Sequence, residues 1–161
     1  MSAALNWEIH QIDFETAFLN SSIKPGIEVY IMPPEGFSED SGIVLLLNKA
    51  IYGLKQASRA WQIKLRQWLL SKDWKISQYD ACIFYHVGKK IIISVYVDDV
   101  NIFGARDSPI AAFKAEVLSA FKITDAGIIS YYLSMQIEHL KDSILVHQGT
   151  YVRQILKKYG F

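Results

Sequence analysis

The sequence predicts an α+β fold in one domain. Short extended runs follow one another with turn residues between them, as local hairpins do. Separate stretches carry apolar residues at three- and four-residue steps. Strands and helices do not alternate in the regular way that a doubly wound parallel sheet requires. The 161 residues match one domain, and 51% apolar against 20% charged residues excludes a disordered chain. A chain of this length buries roughly 68–70% of its unfolded surface. The longest uncharged apolar run, 91–97, is too short to span a bilayer. No charged-then-apolar signal segment opens the chain at Met1, and the lone Cys82 excludes an internal disulfide framework and a cysteine-based zinc site. These features predict an intracellular, cytoplasmic protein with no membrane partner.

The first strand is expected over 7–13, with Trp7 and Ile9 apolar and an acid at its end. Ala17-Phe18-Leu19 leads into a turn at Asn20, Ser21 and Ser22, and 28–31 is a short extended run stopped by Pro33, Pro34 and Gly36. The clearest helix spans 58–71, with Ala57, Trp61, Leu65, Trp68 and Leu69 in its apolar stripe. Strands follow over 81–87, 90–97 and 100–103; Gly88-Lys89 joins the first two, and Asp98-Asp99 forms a tight turn before the third. Ser108 as cap and Pro109 at the first helical position start a helix that runs to about 122, with Ile110, Phe113, Val117 and Phe121 on its stripe. Gly127 is placed in the loop beyond it. A hairpin over 131–147 turns at Lys141-Asp142, and a terminal helix over 148–159 carries Tyr151, Ile155, Leu156 and Tyr159 on one side. Cys82 is expected to be a buried strand residue.

Net charge is +1, unevenly spread. Residues 1–48 hold Lys24 against seven acids, net −6. Residues 49–75 hold seven basic residues against Asp73, net +6, and the remainder is +1. Such a basic block is either the solvated face of an amphipathic helix or a polyanion site.

The most unusual local feature is Asp98-Asp99 between apolar strands. Two adjacent like charges repel, so they are either a solvated turn or neutralised by a divalent cation, whose preferred donors are carboxylate oxygens. Asp13, after its own short strand, is the candidate third acid. Three converging carboxylates can hold two cations about 3.5–4 Å apart. The four histidines show no ligand spacing.

Four blocks in order resemble the reverse transcriptases of copia-type LTR retrotransposons. They are Gln11-Ile12-Asp13-Phe14-Glu15-Thr16-Ala17-Phe18-Leu19-Asn20; Pro33-Pro34-Glu35-Gly36-Phe37; Ile51-Tyr52-Gly53-Leu54-Lys55-Gln56-Ala57-Ser58-Arg59-Ala60-Trp61; and Tyr96-Val97-Asp98-Asp99. Weaker matches follow at 121–127 and 132–135. The resemblance implies an RNA-directed DNA polymerase palm, a small antiparallel sheet backed by the 55–71 and 108–122 helices. Its catalytic, metal-binding acids would be Asp13, Asp98 and Asp99, holding two Mg²⁺ ions with Mn²⁺ as a substitute. It further implies nucleotide binding by Phe14, Phe18, Tyr52, Gly53, Lys55 and Gln56, with Phe18 screening the sugar 2′ carbon, and nucleic-acid contacts from Lys55, Arg59, Tyr96 and Met135. Read without the family, Phe18 is an ordinary core aromatic, and Trp61 and Trp68 are core packing rather than stacking platforms.

The chain departs from the family pattern at Ser58 (usually proline), Ser21 (glycine), Ala126 (leucine) and Ser134 (glycine); none is one of the three acids. Ser58 can cap the helix in place of the proline. The resemblance describes a palm-centred fragment over 1–161, with truncated fingers, a thumb starting at 148–161, and a ribonuclease H segment belonging to a longer polyprotein. The expected partners are an RNA or DNA template with primer and dNTP. The alternative is a catalytically inactive remnant that only folds or binds nucleic acid or protein. Apolar surface around Trp74, Ile128 and Tyr131 is expected to favour self-association.

Overall fold

The computed structural model describes residues 2–37 and 42–161. The chain forms two compact units: residues 2–15 with 74–161, and residues 16–73.

The first unit is built on a six-stranded antiparallel sheet. Its strands are β1 (Trp7–Phe14), β4 (Lys75–Ile76), β5 (Ile83–His86), β6 (Ile91–Tyr96), β7 (Asp99–Ala105) and β8 (Ile123–Ile128), in the order β4-β5-β6-β7-β1-β8. Strand alternation divides the side chains into two faces. His10, Ile12 and Phe14 share one face with Val100, Ile102, Ile91, Ile93 and Phe84, and all of these but His10 are buried. Helix α3 (Ile110–Ala120) belongs to the same core through buried Ile110, Phe113 and Val117. The Phe113 ring lies 4.7 Å from that of Trp74, and Phe121 meets Phe14 edge-on at 5.4 Å.

The other face is half-exposed and reads in rows across the strands. One row is Asp13, Asp99 and Tyr96; the next is Gln11, Asn101, Ser94 and Ile83; the third is Ile9, Phe103, Ile92 and Tyr85. A second sheet in this unit joins β9 (Tyr131–Tyr132), β10 (Met135–His139) and β11 (Ile144–His147). Leu133 and Ser134 both have positive φ, +47° and +65°, the pattern of a two-residue type I′ hairpin. Serine thus occupies a left-handed position that glycine would fill without strain. Besides helix α1 (Ser2–Leu5), the unit ends in α4 (Gly149–Lys158), whose apolar side chains, including Tyr151, Ile155 and Leu156, are not buried.

The second unit contains a 3₁₀ turn at Ala17–Asn20, the short ladder of β2 (Tyr30–Ile31) and β3 (Leu45–Leu46), and α2 (Ala57–Leu70). Helix α2 buries Ala57, Trp61, Leu65 and Leu69 at four-residue spacing, and Trp68 is half-buried. Lys64 Nζ donates to the Asn20 carbonyl at 2.5 Å, tying the helix to the 3₁₀ turn.

Several expectations change. The hairpin turn is Val97-Asp98, and Asp99 already belongs to β7. The segment after α3 is a strand rather than a loop: β8 pairs with β1, and the register shifts between Gln11 and Ile12. Ala126 is the extra residue there, and Gly127, at φ +73°, takes the kink. Neither expected serine cap forms. Ser58 is the second residue inside α2, while the Ser108 hydroxyl donates to the Ala105 carbonyl at 2.5 Å. Trp74 is 2% exposed, because it packs on Phe113, whereas Ile128 and Tyr131 are exposed as expected. Cys82 is half-buried and lies just before β5, since that strand starts at Ile83. Within the first unit α3 supports the sheet; α2 belongs to the second unit.

Candidate active site

Asp13 and Asp99 are register partners across β1 and β7. The Phe14 amide donates to the Asp98 carbonyl at 2.9 Å. That bond makes Asp13–Asp99 a non-hydrogen-bonded pair, the closer kind, with Cα atoms about 4.5 Å apart and side chains on one face. Asp98 sits in the turn immediately beyond. Val97, the first central residue of that turn, has φ +58°, a left-handed value that a β-branched residue rarely adopts. Positive φ at the first position and not the second is the type II′ pattern, in which glycine is the usual occupant.

The carboxylates sense one another. Burial pushes the Asp13 carboxyl above its ordinary range, and the negative charges of Asp98, Asp99 and Glu15 push it further the same way. Like charges facing each other across a ladder are destabilising, so the fold gains nothing from this pair. Gln11 Nε2–H donates to Asp99 Oδ1 at 3.0 Å. The Tyr132 hydroxyl, on β9, is pushed up by burial and then by the Asp99 charge, against a hydrogen bond with Asn101. The β9–β11 sheet therefore brings a tyrosine to the acidic row. Asn101 is 3% exposed, and its Oδ1 has no hydrogen-bond partner among the described residues.

Among the described residues no three His, Cys, Asp or Glu side chains are gathered tightly enough to hold a metal ion. The donor chemistry nevertheless fits a hard divalent cation, because mutually repelling carboxylates are what such an ion neutralises.

The other residues singled out in the sequence divide between the units. Phe14 points to the closed face and is buried against Phe121, so its backbone amide is what reaches the turn. Tyr96 is exposed beside Asp99 in the acidic row. Met135 is half-buried at the start of β10, paired with Tyr132. In the second unit Phe18 is buried, with its ring 4.3 Å from that of Tyr52, and this burial fits the core-aromatic reading. Tyr52, Gly53, Lys55 and Gln56 are exposed just before α2, and Arg59 is exposed in its first turn. All seven basic residues of 49–75 are exposed. Sequence reasoning gave no role to Gln11 or Asn101. For both the signal was present: each is polar, two residues from an acid in a strand, and hence on the same face.

The sequence pattern of the reverse transcriptase (RNA-dependent DNA polymerase) family matches residues 1–161, and the chain belongs to that family. Among curated proteins it is similar to the retrovirus-related Pol polyprotein from transposon TNT 1-94 of Nicotiana tabacum, 32% identical over 99% of this chain and 12% of that polyprotein. It is also similar to those from transposons RE1 and RE2 of Arabidopsis thaliana, at 31% and 34% identity, each over 95% of this chain and 11% of the polyprotein. The chain thus spans about a tenth of the length of these relatives. No solved structure matches it.

Proposed function

We propose that the chain is the palm portion of a copia-type retrotransposon reverse transcriptase. It would extend a primer 3′ hydroxyl from dNTPs on an RNA or DNA template. The observation that carries this reading is the facing pair Asp13–Asp99, with Asp98 in the adjoining turn, in a chain matched to the family along its whole length. Asp13, Asp98 and Asp99 would hold two Mg²⁺ ions, or Mn²⁺ in their place, and the bound cations would supply Lewis acidity and charge neutralisation for phosphoryl transfer.

The chain's own groups position the reactants. The backbone bond from Phe14 to Asp98 fixes the turn against β1. Exposed Tyr96 and half-buried Met135 would lie along the primer end. Lys55 and Arg59 would neutralise template or nucleotide phosphates, and such contacts weaken steeply with salt. Tyr52, Gly53 and Gln56 would line the nucleotide, and Phe18 would exclude a 2′ hydroxyl; these assignments rest on the motif match. Fingers, thumb and ribonuclease H would come from the rest of a longer polyprotein, with 148–161 opening the thumb.

A second reading, a folded remnant that binds without catalysis, is favoured by one observation. The described residues do not gather three metal donors as they stand.

Primer extension on an RNA template with dNTPs and Mg²⁺ or Mn²⁺ separates the two. The polymerase reading expects extension by this chain and none by Asp98→Asn. Extension that persists in Asp98→Asn would remove the acids from the mechanism. A folded chain that binds Mn²⁺ without extending primer would favour the remnant.

A further inference from the structure

Gln11 lies in the acidic motif of β1 but has no part in the chemistry described so far. By register it faces Asn101, so it reaches Asp99 diagonally from the neighbouring strand. Its bond falls on one oxygen of a carboxylate that offers about four lone-pair sites, so one amide N–H leaves acceptor capacity for a cation. The chemistry of the donor matters. A lysine or arginine here would neutralise Asp99 and compete with a metal. An apolar residue would leave Asp99 free to rotate away from Asp13, which repels it across the closest kind of strand pair. A neutral amide orients the carboxylate without cancelling its charge. Its register partner Asn101, in the same row, is polar and buried.

We propose that Gln11 is the positioning residue for Asp99: its amide holds the carboxylate beside Asp13 so that both acids face one divalent cation. The inference rests on the reading of these acids as a cation site. Groups that orient metal ligands in this way typically change metal affinity by about 10–100-fold when removed.

The test is Mn²⁺ binding to the full chain, followed by electron paramagnetic resonance of the free ion and needing no turnover. Gln11→Met preserves length and removes the donor on a half-exposed strand face. It should weaken Mn²⁺ binding roughly tenfold or more, with wild-type near-ultraviolet circular dichroism. Ile9→Val, trimming the same strand, should lower the thermal midpoint and leave Mn²⁺ affinity unchanged. If Gln11→Met does not fold, Gln11→Asn, polar but one methylene shorter, takes its place with the same expectation. Wild-type Mn²⁺ affinity in a folded Gln11 variant would overturn the positioning role alone. No Mn²⁺ binding by the wild-type chain would overturn the cation-site reading and this inference together.

Discussion

Val97 offers a sharp test of the hairpin that carries Asp98, because its φ of +58° reverses the ordinary ranking of alanine and glycine. In a strand, glycine costs roughly 0.5–1 kcal/mol relative to alanine. At a left-handed position an L-residue with a Cβ is penalised by about 1–2 kcal/mol, and glycine is not. Glycine loses about 0.4–1 kcal/mol of this through the freedom of its unfolded chain. Val97→Ala and Val97→Gly both discard the isopropyl group, so burial nearly cancels between them. The remainder favours Val97→Gly over Val97→Ala by about 0.5–1 kcal/mol. For a chain of this size that is a difference of about 1–4 °C in melting temperature. Urea unfolding followed by tryptophan fluorescence would report it, since Trp74 is 2% exposed. Equal slopes in denaturant would confirm that the two variants expose the same surface. Val97→Ala at least as stable as Val97→Gly would refute the left-handed turn and, with it, the placement of Asp98 beyond β6 and Asp99 within β7.

Three further outcomes follow from charge and from close packing. The folded-state carboxyl of Asp13 is raised, through burial and then its acidic neighbours, so folding favours its protonated form and loses stability as pH rises through the folded value. Asp13→Asn should therefore stabilise the chain at pH 7, with the gain vanishing below the ordinary carboxyl value of 3.8. Asp125 behaves oppositely. Burial raises its carboxyl, but hydrogen bonds from Lys114 and the Gly127 amide outweigh this and lower it, so Asp125→Asn should destabilise at pH 7 and lose that effect in acid. Denaturation midpoints across pH 3–8 would check both slopes. At Gly104, a Cβ would overlap Ser108 Oγ and lie 3.3 Å from Ser108 Cβ and 3.4 Å from Ile110 Cδ1. Gly104→Ala should cost about 1–3 kcal/mol, and Ser108→Ala, by removing the hydroxyl, should recover about half of it; strict additivity in a double-mutant cycle would contradict the overlap.

Much of the central sheet was legible because its strands are short, β-branched and joined by local turns, as 91–96 and 83–86 show. Helix α2 was legible because its stripe recurs every four residues. The edge strand β8 was hidden. Its sequence, Ile123 to Ile128, carries Thr, Asp, Ala and Gly between the two isoleucines, and one side of the ladder supplies its pairing. The Ser108 cap failed because a local hydroxyl-to-carbonyl bond competes with capping, and Ser58 lies inside α2 rather than ahead of it. At the site, the three acids stood out as residue types. Their geometry did not, because a two-residue turn can place either Asp98 or Asp99 first in the following strand, and only the backbone at Val97 decides. Gln11 escaped because a polar residue in a strand reads as surface until the row opposite it is known.

The two faces of β1 also set a two-beat rhythm for inheritance. Ile12 and Phe14 answer to cohesion of the core, while Gln11 and Asp13 answer to whatever the open face handles. Neighbouring codons in one strand are thus subject to separate tests. A copy of this gene released from selection on chemistry would drift first at alternate positions, 11, 13 and 99, and still fold. One tracking residues 12, 14, 100 and 102 instead would be losing its shape. Comparing substitutions between these two interleaved sets across related copies would tell an idle copy from a working one before any activity is assayed.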